Sequence, residues 1–378
     1  MGRNGSKVNT FQIAMIEIHC TNCLRPYPQQ GTPFRCETCG GVFDFSSPLT
    51  FNETEMKPSV RGMWRYRSTF GLETWAPEIT LGEGDTPLVW REVFGRKIAF
   101  KLEYLNPTGS FKDRGSAVLI SFLLSRGVQS AVEDSSGNAG ASFAAYAARA
   151  GMQARIFVPD YASGPKRYQI EAYGAEVQRI LGPRSNTTEA VLRAAENGAV
   201  YASHAYMPYG LAGYATAAYE IFEQAGQAPG TVILPAGQGN FLLAIGRGFQ
   251  ALKNASLIDH LPRLVGVQAL ACAPLWAVYK YGSAGLGWVT EGETLAEGVR
   301  IRHPVRGDVL LNMILENEGS FVSVEEDMIL DGRDELSRLG FYVEPTSAIV
   351  WNALIQVMDE TPDPIVLVLT GSGYKTGS

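Results

Sequence analysis

Lys112 stands between a turn and a helix. The stretch "EYLNPTGSFKDRGSAV" (103–118) sets it behind Asn106, Pro107, Gly109 and Ser110 and ahead of a run with helical pattern. A solvent-facing lysine needs no such setting. A lysine that must hold one small molecule in one orientation does, because its amine can bond reversibly to a carbonyl carbon. Three other turns follow apolar, Val/Ile-rich runs. "SSGNAGAS" (135–142) gathers Ser135, Ser136, Gly137, Asn138 and Ala139 where a helix begins. Backbone N–H groups there suit a carboxylate or other anion, and Ser and Asn also make an ordinary helix cap. "LPAGQGNFLLAIGRGF" puts Gly237, Gln238, Gly239 and Asn240 at a second helix start, the layout of a phosphate cradle. It has neither a G-x-G-x-x-G with a partner acid nor a Walker lysine, so dinucleotides and nucleoside triphosphates are not favoured. "VLVLTGSGYK" ends the last strand with Thr370, whose hydroxyl also suits a simple turn.

Taken together, these form a set: a positioned lysine, a phosphate cradle, a carboxylate loop and a strand-end hydroxyl. Pyridoxal phosphate with an amino-acid substrate asks for all four.

A second chemistry lies near the N-terminus. Cys20, Cys23, Cys36 and Cys39 form C-x2-C, twelve residues, C-x2-C. Each short turn aims two thiolates at one ion, and two turns close a tetrahedron. Zinc is the expected metal, with iron next. Two disulfides would suit a secreted chain, which nothing here indicates. Four thiolate ligands leave no open coordination position, so such a metal stabilises and does not catalyse. Cys272 lies in an apolar run and is expected to be buried.

These residues must be held by regular elements. From about residue 95, short apolar runs alternate with amphipathic or Ala-rich stretches. Strands are expected at 97–103, 130–136, 154–159, 175–180, 230–237, 263–269 and 364–370. Helices are expected at 113–126, 138–150, 164–173, 185–198, 213–225, 239–253, 327–339 and 346–359. Such alternation implies an α/β fold with parallel sheets covered on both faces. The 378 residues are 46% apolar, enough for a large core, and the net charge of -6 argues against a nucleic-acid surface. No polybasic patch or long apolar run points to a membrane. The start of the chain reads as neither a signal peptide nor a myristoylation site. A soluble cytoplasmic protein is expected.

"NPTGSFKDRG", "SSGNAGAS", "PAGQGN" and "LTGSG" closely resemble stretches of the fold-type II pyridoxal-phosphate enzymes. That family includes threonine synthase, serine/threonine dehydratases, cysteine synthase and the tryptophan synthase beta chain. "GEGDTPL" (82–88), "MWRYR" (63–67), "EPTSA" (344–348) and the cysteine segment look specifically like threonine synthases. The resemblance spans essentially the whole chain. It implies a two-lobed α/β fold like that of the tryptophan synthase beta chain, with an N-terminal zinc ribbon. The ribbon would be residues 1–46. Residues 47–112 and 206–378 would form the larger, cofactor-binding lobe, with 113–205 a smaller lobe inserted in it. By the same resemblance Lys112 is the catalytic Schiff-base lysine, and Asn138 faces the cofactor's phenolic oxygen. Gly237, Gln238, Gly239 and Asn240 hold its phosphate, and Thr370 faces the pyridine nitrogen. Ser135, Ser136, Gly137 and Ala139 bind the substrate carboxylate. A neutral hydroxyl at the ring nitrogen is associated in this family with elimination and replacement more than with transamination. The implied activity is that of a carbon–oxygen lyase of amino-acid metabolism, acting on an O-activated hydroxy-amino acid such as O-phosphohomoserine, in a homodimer.

The chain departs from the family at one segment. Threonine synthases carry N-S-x-N-P-x-R, whose Asn and Arg grip the substrate phosphate. Here "SHAYMPYGLAGYAT" puts His204, Met207 and Gly210 at those places. Gly and Met cannot make a bidentate clamp. Arg300, Arg302, His303 and Arg306 are candidates for a replacement anion site, or simply a solvated charged loop. Two further readings stay open: a serine/threonine dehydratase or β-replacement synthase acting on an O-phosphoserine-type substrate, and a non-catalytic pyridoxal-phosphate-binding protein.

Overall fold

A computed structural model of the chain describes residues 16–162 and 164–376. The readings made on the first fifteen residues fall outside the described residues. The described residues begin with a two-stranded antiparallel ribbon, β1 (Ile18–Cys20) and β2 (Phe43–Phe45). An antiparallel pair follows, β3 (Leu88–Val93) and β4 (Arg96–Lys101). Then come α1 (Lys112–Ser125), β5 (Ser130–Glu133), α2 (Asn138–Ala150), β6 (Gln153–Pro159), α3 (Pro165–Ala172), β7 (Glu176–Ile180) and α4 (Arg184–Glu196). The rest is α5 (Tyr209–Ala225), β8 (Thr231–Pro235), α6 (Asn240–Asn254), β9 (Arg263–Ala269), α7 (Pro274–Tyr281), α8 (Gly307–Glu316), β10 (Ser320–Val324), α9 (Asp327–Arg338), α10 (Pro345–Val357) and β11 (Ile365–Val368).

Two larger sheets result. β5, β6 and β7 form an all-parallel sheet in chain order. The other has the order β10-β9-β8-β11-β4-β3, parallel throughout except for the edge strand β3. Its central strands are continuous apolar runs because both faces are covered. Val232 and Leu234 of β8, with Val366 and Val368 of β11, pack against α5 and α6. Their neighbours Ile233, Ile365 and Leu367 pack on the opposite face against α9 and α10. Side chains alternate across a strand, so one apolar strand feeds two cores.

The expected strand 130–136 ends at Glu133, and residues beyond it form a loop. The helix expected from 213 begins at Tyr209, so Gly210 lies inside it. The alternating pattern also gave no sign of β3, β10, α7 or α8. No helix among the described residues is long and apolar enough to cross a membrane.

Candidate active site

Lys112 opens α1, at the end of a loop that leaves the carboxyl end of β4. That loop is tied down on every side. Asp113 accepts from both the backbone N–H and the hydroxyl of Thr108, each at 2.6 Å. Lys375 Nζ donates to the Thr108 carbonyl at 2.7 Å, and Gln169 Nε2 to the same oxygen at 3.1 Å. Ser110 pairs with Gly371 in an isolated bridge, and the Phe111 N–H donates to the Thr370 carbonyl at 3.1 Å. Lys112 Nζ lies over the Phe111 ring, 4.8 Å from its centroid. Burial pushes its pKa down to about 8, against the opposing fields of Glu133 and Glu344. Loss of hydration disfavours the ammonium, so a reactive amine is accessible near neutral pH.

The glycine loop lies beside it. Phe111 stacks on Phe241 with ring centroids 4.3 Å apart, which seats the lysine loop against the first turn of α6. Gly239 has φ of +74°, and a Cβ there would stand 2.2 Å from Leu310 Cδ2. Only glycine takes that bend without strain. The first-turn N–H groups of α6 have no intrahelical acceptor and point out of the helix end. Asn240 Nδ2 donates to the His204 and Ala205 carbonyls at 3.1 and 3.2 Å, and Gln238 Oε1 accepts from the Val305 N–H at 3.0 Å.

Asn138 is brought to the same place from the other sheet. Its Nδ2 donates to Glu344 Oε1 at 2.7 Å, and Lys166 Nζ pairs with Glu344 Oε2 at 2.8 Å. A Cβ on Gly371 would lie 2.1 Å from Glu344 Oε1 and 3.0 Å from Asn138 Nδ2. Glycine is therefore required where the Thr370 strand end passes Asn138. Thr370 is buried, and its N–H donates to Ser347 Oγ at 2.9 Å. Ser135, Ser136 and Gly137 lead into α2, with the Gly137 N–H on Ser135 Oγ at 3.2 Å, and Ala139 is buried in its first turn.

The sequence reading missed what anchors α1. Arg114 is wholly buried between two carboxylates. Its Nε and Nη2 each donate at 2.7 Å to Glu103, and its Nη1 and Nη2 to Glu220 at 2.8 and 2.7 Å. Lys101 Nζ joins Glu220 at 2.7 Å. The signal was present as charges inside apolar runs, but the partners are over a hundred residues away in the case of Glu220. Glu344 lay in a quoted motif without a role. Glu133, whose Oε1 sits 2.5 Å from His204 Nδ1, was read only as part of a strand.

Arg306 is not part of an open anion site. It is buried, donating to the Ala205, Tyr206 and Phe43 carbonyls at 2.7–2.8 Å and lying 3.3 Å from Asp44. Those contacts occupy both terminal nitrogens of its guanidinium and tie the ribbon to the 205–206 backbone. Arg300 donates to the Glu291 carbonyl.

The four ribbon sulfurs lie within 4.8 Å of one another. Cys20 and Cys39 are 3.5 Å apart, and Cys23 and Cys36 are 3.6 Å apart. Tetrahedral zinc with bonds of about 2.3 Å spaces its sulfurs about 3.8 Å apart, so one ion fits this quartet. All five cysteines are free of disulfides, and Cys272 is buried as expected.

The residues also fit pyridoxal phosphate. Ser110 Oγ, Asn138 Oδ1 and Asn240 Oδ1 are buried polar atoms with no partner, one on each loop around Lys112. Buried polar atoms are rarely left this way without a ligand or water to meet them. The helix N-terminus of α6 suits a phosphate and the amine of Lys112 an aldehyde.

A family model described as "Pyridoxal-phosphate dependent enzyme" matches residues 79–371. Among curated proteins, threonine synthase of Methanosarcina acetivorans is 30% identical, covering 96% of this chain and 92% of its own. Threonine synthase of Synechocystis is 35% identical and covers 82% of each chain. Among solved structures, maize serine racemase superposes with a TM-score of 0.66 at 22% identity, over 76% of this chain and 88% of that one. A threonine deaminase from T.th. does so with 0.65 at 26%, over 78% and 94%. The matched segment contains the lysine loop and all three cradling turns. The chain belongs to the pyridoxal-phosphate-dependent enzyme family.

Proposed function

We propose that the protein is a carbon–oxygen lyase of amino-acid metabolism, threonine synthase-like, acting on a hydroxy-amino acid or its O-activated ester. The observation that carries this is the half-buried Lys112, on a loop packed against the glycine loop and the Thr370–Gly371 strand end that meets Asn138. Pyridoxal phosphate, when bound, withdraws electrons from the substrate's α-carbon. The chain's residues do the rest. The amides of Gly237, Gln238, Gly239 and Asn240 hold the phosphate at the positive end of α6. Asn138 addresses the phenolic oxygen, and Thr370 offers a neutral hydroxyl to the ring nitrogen. Ser135, Ser136, Gly137 and Ala139 hold the substrate carboxylate at the start of α2. Lys112 Nζ would take the α-proton and return it later.

In this reading residues 113–205 act as a smaller lobe that closes on the larger lobe, 47–112 with 206–378. Residues 1–46 form a ribbon holding one zinc through Cys20, Cys23, Cys36 and Cys39. The enzyme works in the cytoplasm as a homodimer. A dehydratase is the second reading, favoured by one observation. Met207 is buried, and Gly210 packs on the Gly115 backbone, so neither place offers a phosphate donor.

The test is turnover of O-phosphohomoserine, O-phosphoserine, threonine and serine by the holoenzyme, reading phosphate, ammonia and keto acid. Release of one of these, abolished in Lys112→Ala, is expected. A reversible absorbance change without turnover of any amino acid would mean a binding protein instead.

A further inference from the structure

Glu133 and His204 face each other beside Lys112. Glu133 ends β5 and is wholly buried, while His204, between α4 and α5, keeps 25% of its side chain exposed. Glu133 Oε1 and His204 Nδ1 lie 2.5 Å apart, within hydrogen-bond contact. Glu133 Oε2 is buried with no partner. Both groups are close enough to Lys112 for its charge to act on them. Burial raises the Glu133 carboxyl, with Asp134 adding to the rise, and burial beside Lys112 lowers His204 to about 3. Both directions favour a pair that is neutral as a whole.

The surroundings hold little for an anion. Asp134 accepts from Tyr201 at 2.7 Å and pairs with Arg184 Nη2 at 3.0 Å, which balances that guanidinium's charge while its Nη1 stays without a partner. Met207 and Gly210 offer no donor side chain. A phosphate dianion here would meet a buried carboxyl whose second oxygen is free. An ammonium would need a fixed negative charge that a neutral pair lacks. A hydroxyl, which both donates and accepts, matches the free Oε2 together with the second ring nitrogen of His204.

We propose that Glu133 and His204 form the subsite for the substrate's side chain and select an amino acid ending in a free hydroxyl over its phosphate ester. This rests on reading the chain as an amino-acid lyase. In threonine synthases the same segment grips a phosphate, so the inference gives this chain a different substrate class.

The experiment titrates the purified holoenzyme with L-homoserine, L-threonine, L-serine, O-phospho-L-homoserine, O-phospho-L-serine and L-2,4-diaminobutyrate. Dissociation constants are read from the cofactor's absorbance, independently of turnover. At least one hydroxy-amino acid should bind at least about tenfold more tightly than its own phosphate ester and than the diamine. Glu133→Gln, which removes the carboxyl but keeps its shape, should narrow that ratio at least about threefold. Tighter binding of an ester or the diamine overturns the subsite and leaves the lyase reading standing. So does an unchanged ratio in Glu133→Gln. If no amino acid perturbs the absorbance, the lyase reading falls as well. Should Glu133→Gln not fold, the ratio in the parent protein and in His204→Gln decides.

Discussion

Lys112 sits under opposing influences that can be measured one at a time. Burial lowers its pKa to about 8, while Glu133 and Glu344 push back. The charged form is the one disfavoured, so the free amine grows as pH rises through 8. In the cofactor-free protein, acylation of Lys112 followed by mass spectrometry should show a midpoint near 8, against about 10.4 for an ordinary lysine. Glu344→Gln removes a carboxylate that favours the ammonium and should move the midpoint lower. Borohydride treatment of the holoenzyme should fix the cofactor on Lys112, and Lys112→Ala should lose at least about a thousandfold in turnover. Cofactor fixed on another lysine sinks the assignment. Gly371→Ala tests the close approach at the strand end. Its Cβ would lie 2.1 Å from Glu344 Oε1, so Glu344 and Asn138 must shift. The expected cost is about 1–3 kcal/mol of stability, with cofactor affinity falling in equilibrium dialysis while the circular dichroism stays that of the parent.

At the scale of elements, α1 is located by charge as well as by apolar packing. Burial opposes ionisation of Glu220, but Arg114 and Lys101 overcome it and hold its carboxyl well below the usual range. A depressed folded pKa gives stability that is present above the unfolded value and lost as pH falls below it. Glu220→Gln should therefore cost about 3–5 kcal/mol at neutral pH by leaving buried cations uncompensated. The gap to the parent should shrink below a pH of about 4. Denaturant melts at the two pH values check this, and a gap that does not change with pH would refute the ion-pair account. The ribbon is a second positioning element. Arg247 grips Asp44 at 2.7 and 2.9 Å, and Arg306 links the Phe43 carbonyl to those of Ala205 and Tyr206, next to His204. A metal held by these four thiolates would contribute about 10 kcal/mol or more to folding the ribbon. Metal analysis of reduced protein should give one zinc per chain. Chelation should raise hydrogen exchange over 16–45 and 201–208 and weaken substrate binding, with the Lys112-bound cofactor spectrum nearly unchanged.

At the scale of the molecule, the sheet order explains how distant segments meet. β8, β11 and β4 are neighbours and run parallel, so the loops after them leave from one edge. Those loops carry Gly237–Asn240, Thr370 and Lys112. Ligands in such sheets bind beyond the strands' carboxyl ends. Asn138 and the 135–139 turn come from the separate parallel sheet of β5–β7. On the proposed reading, a substrate held by its carboxylate at 135–139 and by the cofactor at the larger sheet would bridge the two, and closure would exclude water from the site. Small-angle scattering of the holoenzyme should show a smaller radius of gyration with a bound amino acid. Hydrogen exchange should slow around 106–112 and 135–142. An unchanged radius together with unchanged exchange argues against closure.

The sequence by itself determined the residues whose neighbours in the chain dictate their conformation. Lys112 behind its Asn/Pro/Gly turn, the bend at Gly239, the start of α2 at Asn138 and the cysteine spacing are local demands on backbone and ligand geometry. They can be read from a few consecutive residues. Strand–helix alternation was legible for the same reason, since one strand's apolar run is a local pattern. Tertiary structure alone decided the pairings. Glu103 with Arg114 and Glu220, Glu133 with His204, Arg306 with the ribbon, and Glu344 with Asn138 join residues from different elements. A charged residue in an apolar run shows that a partner must exist, because burying a lone charge costs too much. Which partner meets it depends on the stacking of helices and the order of strands, and neither is written in any local window.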